Sequence, residues 1–175
     1  MSLDTCTVPG SPKEDRIPPG MVELGLGIHG EAGVEQIDFS DARTAMAAVA
    51  AKLAPHLSDR PHVALINNLG GTSVLEMSVL THELLHSVLG RQISHVVGPA
   101  PMMTSLDMRG FSISLLPVEA QELDALARPV MLSAWPGLAA ITPINVAALP
   151  DGLTPITPLA SDHAETRQFI IGCCD

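Results

Sequence analysis

The sequence predicts an α/β domain: a mixed β-sheet of about four to six strands with helices packed mainly on one face. Three observations predict it. Short apolar or alternating runs recur at Met21–His29, His62–Asn67, Ile93–Gly98 and Phe111–Val118. Between them lie stretches with helical period and cap residues at their ends. The apolar share is 46% but aromatics are only 2%, so the core has to be assembled from Ala, Val, Leu, Ile and Met.

Taken in order, residues 1–20 carry Pro9, Pro12, Pro18 and Pro19 with Gly10 and Gly20, and read as a loop or linker. From Met21 to His29 the residues Val22, Leu24, Leu26 and Ile28 alternate with Glu23, Gly25 and Gly27, the period of a strand with one buried face. Ser40 is the expected N-cap of an Ala-rich helix with Met46, Val49 and Leu53 a turn apart, ending near Pro55. His62–Asn67 is a short buried-strand pattern, followed by Asn68-Leu69-Gly70-Gly71-Thr72. Ser73 and Glu76 have capping-box spacing and open a helix expected to run to about Leu89 and stop at Gly90. Ile93–Gly98 and Phe111–Val118 are the next strands, and Glu119–Ala127 is a short helix. The reading therefore divides the chain into a linker or loop at 1–20, a folded lobe at 21–136, a Pro-rich linker at 137–160, and a helical start of a following domain at 161–175.

Composition narrows the function. The formal net charge is -10 and no basic run occurs, so partners bound through clustered Lys and Arg, nucleic acid and anionic membranes, are not expected. The first residues lack the basic-then-apolar pattern of a signal peptide, and no apolar run approaches a membrane span. Cys6, Cys173 and Cys174 do not form the spacing of a disulfide scaffold or a four-thiolate zinc site. A reducing, cytoplasmic setting fits these features.

Three motifs could carry chemistry. Gly25-Leu26-Gly27-Ile28-His29-Gly30 matches the dinucleotide pattern G-x-G-x-x-G, but the glycines lie in and just beyond a strand and no helix opens on them. His82-Glu83-Leu84-Leu85-His86 matches the zinc-protease pattern H-E-x-x-H. Leu89 and Gln92 stand where one large zincin group has Gly and a third His. Both histidines also project away from the stripe of Met77, Leu80, Leu84 and Val88, so the expected reading is a solvated face and no metal. The third feature is His29, at a strand end between Gly27 and Gly30 and next to Glu31. Glycines admit a ligand closely, and a neighbouring carboxylate can fix an imidazole tautomer.

The stretch Glu23-Leu24-Gly25-Leu26-Gly27-Ile28-His29-Gly30-Glu31-Ala32-Gly33 resembles a signature of the dihydroxyacetone kinase family. Four further pieces follow the family's order: Cys6-Thr7-Val8-Pro9-Gly10, Asn67-Asn68-Leu69-Gly70-Gly71, Thr104-Ser105-Leu106-Asp107-Met108 with Gly110-Phe111-Ser112-Ile113, and Ala134-Trp135-Pro136. The resemblance implies the second half of the family's substrate-binding domain. It also implies that a ring nitrogen of His29 adds to the ketone carbon of dihydroxyacetone, giving a hemiaminal whose terminal hydroxyl is phosphorylated. Gly27, Gly30, Glu31, Asn67, Asn68, Ser105 and Asp107 are candidates to line or support that site, with turn chemistry as the plain alternative for the Asn and Asp residues.

The first half of the substrate domain and the acidic magnesium-and-nucleotide motif have no counterpart here, so ATP and Mg are expected in a separate domain and no cofactor on this chain. The Pro-rich stretch beyond Trp135-Pro136 suggests the single-chain, ATP-dependent type. Such a fragment is expected to be inactive alone, with dihydroxyacetone, the first lobe, an ATP-binding domain or subunit and a second copy of the chain as partners. The rival expectation is a non-catalytic module for dimerisation or for binding small carbonyl compounds.

Overall fold

The computed structural model describes residues 1–27 and 31–142. Six strands and three helices occur in it: β1 (Met21–Leu24), β2 (Glu35–Asp38), α1 (Ala42–Leu53), β3 (His62–Asn68), α2 (Val74–His86), β4 (Ile93–Ala100), β5 (Phe111–Pro117), α3 (Ala120–Leu126) and β6 (Leu138–Ala140). The strands form a four-stranded sheet of order β5-β3-β4-β6 and a separate antiparallel pair, β1-β2. Only β3 and β4 run parallel, with α2 as the crossover between them, while β5 and β6 are antiparallel additions at the two edges. The sheet is thus mixed, as the sequence predicts.

Burial explains why β3 reads as a nearly continuous apolar run: both of its faces are covered. Ala64 and Ile66 point into the larger core with Ala45, Met46 and Val49 of α1, Met77, Leu80 and Leu84 of α2, and Phe111 of β5. Val63 points the other way, with Val97 and Val118, against Leu123 and Leu126 of α3 and against Trp135 and Leu138. Two helices therefore pack on one face of the sheet and the short third helix on the other.

The caps are the local signals that the sequence states most directly. Ser73 Oγ accepts from the Glu76 N–H at 3.2 Å, and the Glu76 carboxylate accepts from the Ser73 N–H at 2.8 Å. Helix α1 begins one residue later than expected, because Asp41 rather than Ser40 accepts from the Thr44 N–H. Helix α2 ends at His86 rather than Leu89. The chain turns out of the helix at Ser87, so Val88, expected on the buried stripe, is 73% exposed, while Leu89 is buried instead.

Three further differences concern strands. The first strand stops at Leu24, because Gly25 adopts φ +76 and turns the chain. Its partner β2 is not in the sequence reading: Glu-Gln-Ile-Asp is too short and polar for a strand pattern to stand out. The strand β6 lies in the stretch read as linker, where it pairs Leu138–Ala140 with Val97, Val96 and His95. The N-terminal residues have no regular structure, yet they are pinned down. Ser2 is fully buried and bridges both Glu23 and Gly110, and Phe111 N–H donates to the Met1 carbonyl at 3.0 Å. Residues 143–175, including the expected helix from Ser161, lie outside the described residues.

Candidate functional site

The segment singled out by the sequence connects β1 to β2. His29 itself, with Ile28 and Gly30, lies outside the described residues. Its two flanks are defined. On the entering side, Leu24 and Val34 are joined by a Val34 N–H to Leu24 carbonyl bond of 2.8 Å, just past the last paired residues, Leu24 and Glu35. On the leaving side, Gly33 lies against the Glu23 side chain and the Leu24 carbonyl, so closely that a Cβ there would sit 2.7 Å from that oxygen.

Glu23 holds these flanks together. The alternating pattern places it on the solvent side of its strand, but it is 1% exposed. The reason is a second cover that periodicity cannot reveal. The N-terminal segment pairs along the other edge of β1, exchanging backbone bonds between Ser2 and Glu23 at 2.9 and 2.8 Å, and brings Arg16 onto the Glu23 side chain. Arg16 grips the carboxylate with two nitrogens, Nε to Oε1 at 3.2 Å and Nη2 to Oε2 at 2.9 Å. Burial pushes the Glu23 carboxyl up. The Arg16 bonds, the Gly33 N–H, the Arg16 charge and the Gln36 amide outweigh it and hold the group below its ordinary 4.5. Sequence reasoning missed this pair; the one available signal was an acidic residue in a strand beside two buried apolar neighbours.

Next to this loop opens a cavity of about 430 Å³ with a mainly apolar wall, to which Leu24, Gly25, Gly27, Met103, Ser105 and Phe111 contribute. Of the predicted site residues, Gly27 and Ser105 are brought together here. Gly27 lies under Glu31, so that a Cβ added to it would fall on the Glu31 carboxylate. Asn67, Asn68 and Asp107 are not on the wall of this cavity; they shape the turns behind it. Asn67 is buried, its Oδ1 accepting from Met102 and Met103 N–H at 2.9 and 2.8 Å and its Nδ2 donating to the Met103 carbonyl at 2.8 Å. It therefore fixes the segment that leads to Ser105. Asn68 Oδ1 accepts from Gly70 N–H at 2.8 Å and Nδ2 donates to the Thr72 carbonyl at 2.6 Å, closing the Gly70-Gly71 turn. Asp107 has φ 60 and meets Lys13 Nζ at 3.5 Å on the surface. His82 and His86 are exposed on α2, and among the described residues no group of three or more His, Cys, Asp or Glu could hold a metal ion.

Residues 1–134 match the Dak1 domain. This chain belongs to the Dak1 domain family. Among curated relatives, the dihydroxyacetone kinase of Citrobacter freundii is 37% identical over 171 residues, 95% of this chain and 28% of that protein. The human triokinase/FMN cyclase is 35% identical over 153 residues, covering 81% of this chain and 26% of its own length. The dihydroxyacetone-binding subunit of a PTS-dependent dihydroxyacetone kinase from Listeria innocua is 32% identical and covers 77% of this chain. Among solved structures, the C. freundii kinase in complex with AMP-PNP and Mg2+ superposes with a TM-score of 0.80 at 33% identity, over 97% of this chain and 32% of that one. This Dak1 chain thus spans 26–32% of the C. freundii and human proteins and 43% of the Listeria subunit. Its mixed sheet with three helices is their fold.

Proposed function

We propose that this Dak1 chain supplies the ketone-capturing half of a dihydroxyacetone kinase's substrate domain, with His29 as the capturing residue. The observation that carries the reading is the Dak1 match over residues 1–134, which contains the whole Glu23–Gly33 signature, together with 37% identity to a dihydroxyacetone kinase. The step is simple to balance. A lone pair on a neutral imidazole nitrogen forms a bond to the ketone carbon, the carbonyl π bond opens, the oxygen takes a proton and the ring gives one up. Glycerol, which has no carbonyl, cannot undergo it. The captured triose then presents its terminal hydroxyl to a phosphoryl donor held elsewhere.

The described flanks suit such a loop. Gly27 lines the cavity with the Glu31 carboxylate packed against it, and buried Glu23, held by Arg16, braces both ends. ATP with magnesium is the donor we favour. The alignment with the C. freundii kinase extends over 95% of this chain, past the end of the Dak1 match, whereas the PTS-dependent subunit covers 77%. A first lobe, a nucleotide-binding domain and a second copy of the chain complete the assembly, in the cytoplasm.

The test is the adduct itself. In the protein combined with the remaining lobes of a dihydroxyacetone kinase, intact-mass measurement after incubation with dihydroxyacetone should show the gain of one triose. His29→Ala should abolish it, and His82→Ala and His86→Ala should leave it unchanged. An adduct that persists in the His29 variant would overturn the assignment.

A further inference from the structure

The two histidines of the His82-Glu83-Leu84-Leu85-His86 motif are used neither by the core nor by the proposed function. Leu84 is fully buried and anchors α2 to the sheet, while His82 and His86 lie one turn apart on the solvent side. Their ring centroids are 4.0 Å apart and the planes meet at 31°, a stacked pair, so ligation of one ion by both requires the exposed His82 ring to turn about its side-chain bonds. His86 Nδ1 is 2.8 Å from the His82 carbonyl oxygen. A carbonyl oxygen only accepts, so the neutral His86 ring carries its proton on Nδ1 and keeps its lone pair on Nε2. An N–H to carbonyl bond of this kind is the usual way in which a metal-ligating histidine is oriented. The two rings line a cleft of about 350 Å³ together with Arg43, Ala47, Glu83 and Ser87. Glu83 brings a negative charge to it and is paired with Arg43 at 3.3 Å, a surface pair of small worth because the Arg43 side chain is 80% exposed.

We propose that His82 and His86 together bind one late first-row divalent cation, His86 through Nε2 and His82 through a ring nitrogen, with water completing the coordination. Histidines at i and i+4 on a helix share one face, and imidazole suits zinc, nickel and copper rather than magnesium or calcium. Two protein ligands make an open, exchangeable site, distinct from the three-ligand centre of a zinc hydrolase. Occupancy ties the last turn of α2 to the turn before it, so the ion stabilises the folded chain in proportion to its concentration over its dissociation constant.

The experiment is calorimetric titration of the chelator-treated 175-residue chain with zinc and, separately, nickel, after alkylation of Cys6, Cys173 and Cys174 to remove competing thiols. The expected result is saturable binding of one ion, weakened about tenfold or more by His82→Ala and by His86→Ala. Zinc should raise the thermal midpoint of the parent and of neither variant. Helix content without metal, read by circular dichroism, checks that the variants fold, and His86→Gln replaces the alanine variant if the helix end frays. Parent affinity in either histidine variant, or no saturable uptake in the parent, would overturn the site.

Discussion

At the scale of single residues, the buried carboxylate among the described residues, Glu23, braces the loop between β1 and β2. Glu23 is an ionised group among apolar neighbours, and such a group is tolerated only when its lone pairs are matched. Removing one partner leaves the other stranded, so Glu23→Ala should cost about 3 kcal/mol, measured by urea unfolding. The pH dependence has a definite sign. The folded carboxyl titrates below its ordinary 4.5, so its contribution is complete above that value and is lost as pH falls through the folded value. Glu23→Gln carries no such titration. The stability difference between parent and Glu23→Gln should therefore be widest near neutrality and shrink on acidification below pH 4.5, and a difference that grows in acid would contradict the pairing. Gly33 belongs to the same unit. A methyl group there would meet both the Glu23 side chain and the Leu24 carbonyl, so Gly33→Ala should destabilise the hairpin even though its φ is not in the left-handed region.

At the scale of elements, the capping box of α2 is the most self-contained device. Ser73 and Glu76 satisfy each other's N–H groups at the helix start, and the Ser73 hydroxyl and N–H, with Arg109 nearby, hold the Glu76 carboxyl below its ordinary range. Ser73→Ala should cost about 1 kcal/mol in thermal or urea unfolding, and Ser73→Asp should recover most of it. This element was legible in the sequence because both halves of the signal lie within four residues. The same is true of β3, whose apolar run reflects burial on both faces, and of the α1 stripe through Met46 and Val49. What was not legible depends on distant chain. Glu23 reads as solvent-facing until the N-terminal segment brings Arg16 onto it, β2 has no pattern of its own and exists through pairing with β1, and β6 is defined by β4. Asn67 and Asn68 sit where the sequence points, at the end of β3, but their amides are spent on the loops at 101–103 and 70–72. Turn chemistry and site chemistry use the same residue types, and only the hydrogen-bond partners separate them.

At the scale of the whole molecule, the sheet explains where a site can form. β5 and β6 close the edges of the parallel β3-β4 pair, and the segments that follow β3 and β4 meet the β1-β2 loop around the apolar cavity. Catalysis by phosphoryl transfer demands more than this arrangement contains. The donor phosphates must be neutralised by metal ions and cationic groups, and the acceptor hydroxyl has to lie in line with them. Here the wall is mainly apolar, and Arg16 and Lys52, the cations beside it, are already paired with Glu23 and Glu35 at 2.9 and 3.0 Å. The chain also spans 28% of the C. freundii kinase, so most of the residues of such an enzyme would come from outside it. We therefore expect no phosphorylation of dihydroxyacetone by the 175-residue chain with ATP and magnesium in a coupled assay. Joined to the remaining lobes of a related kinase, the same chain should support turnover, and His29→Ala should remove it. Turnover by the isolated chain would mean that the donor site lies within these residues. Restored turnover that survives His29→Ala would separate phosphorylation from covalent capture, leaving the cavity wall at Gly27 and Ser105 to bind the triose without an adduct.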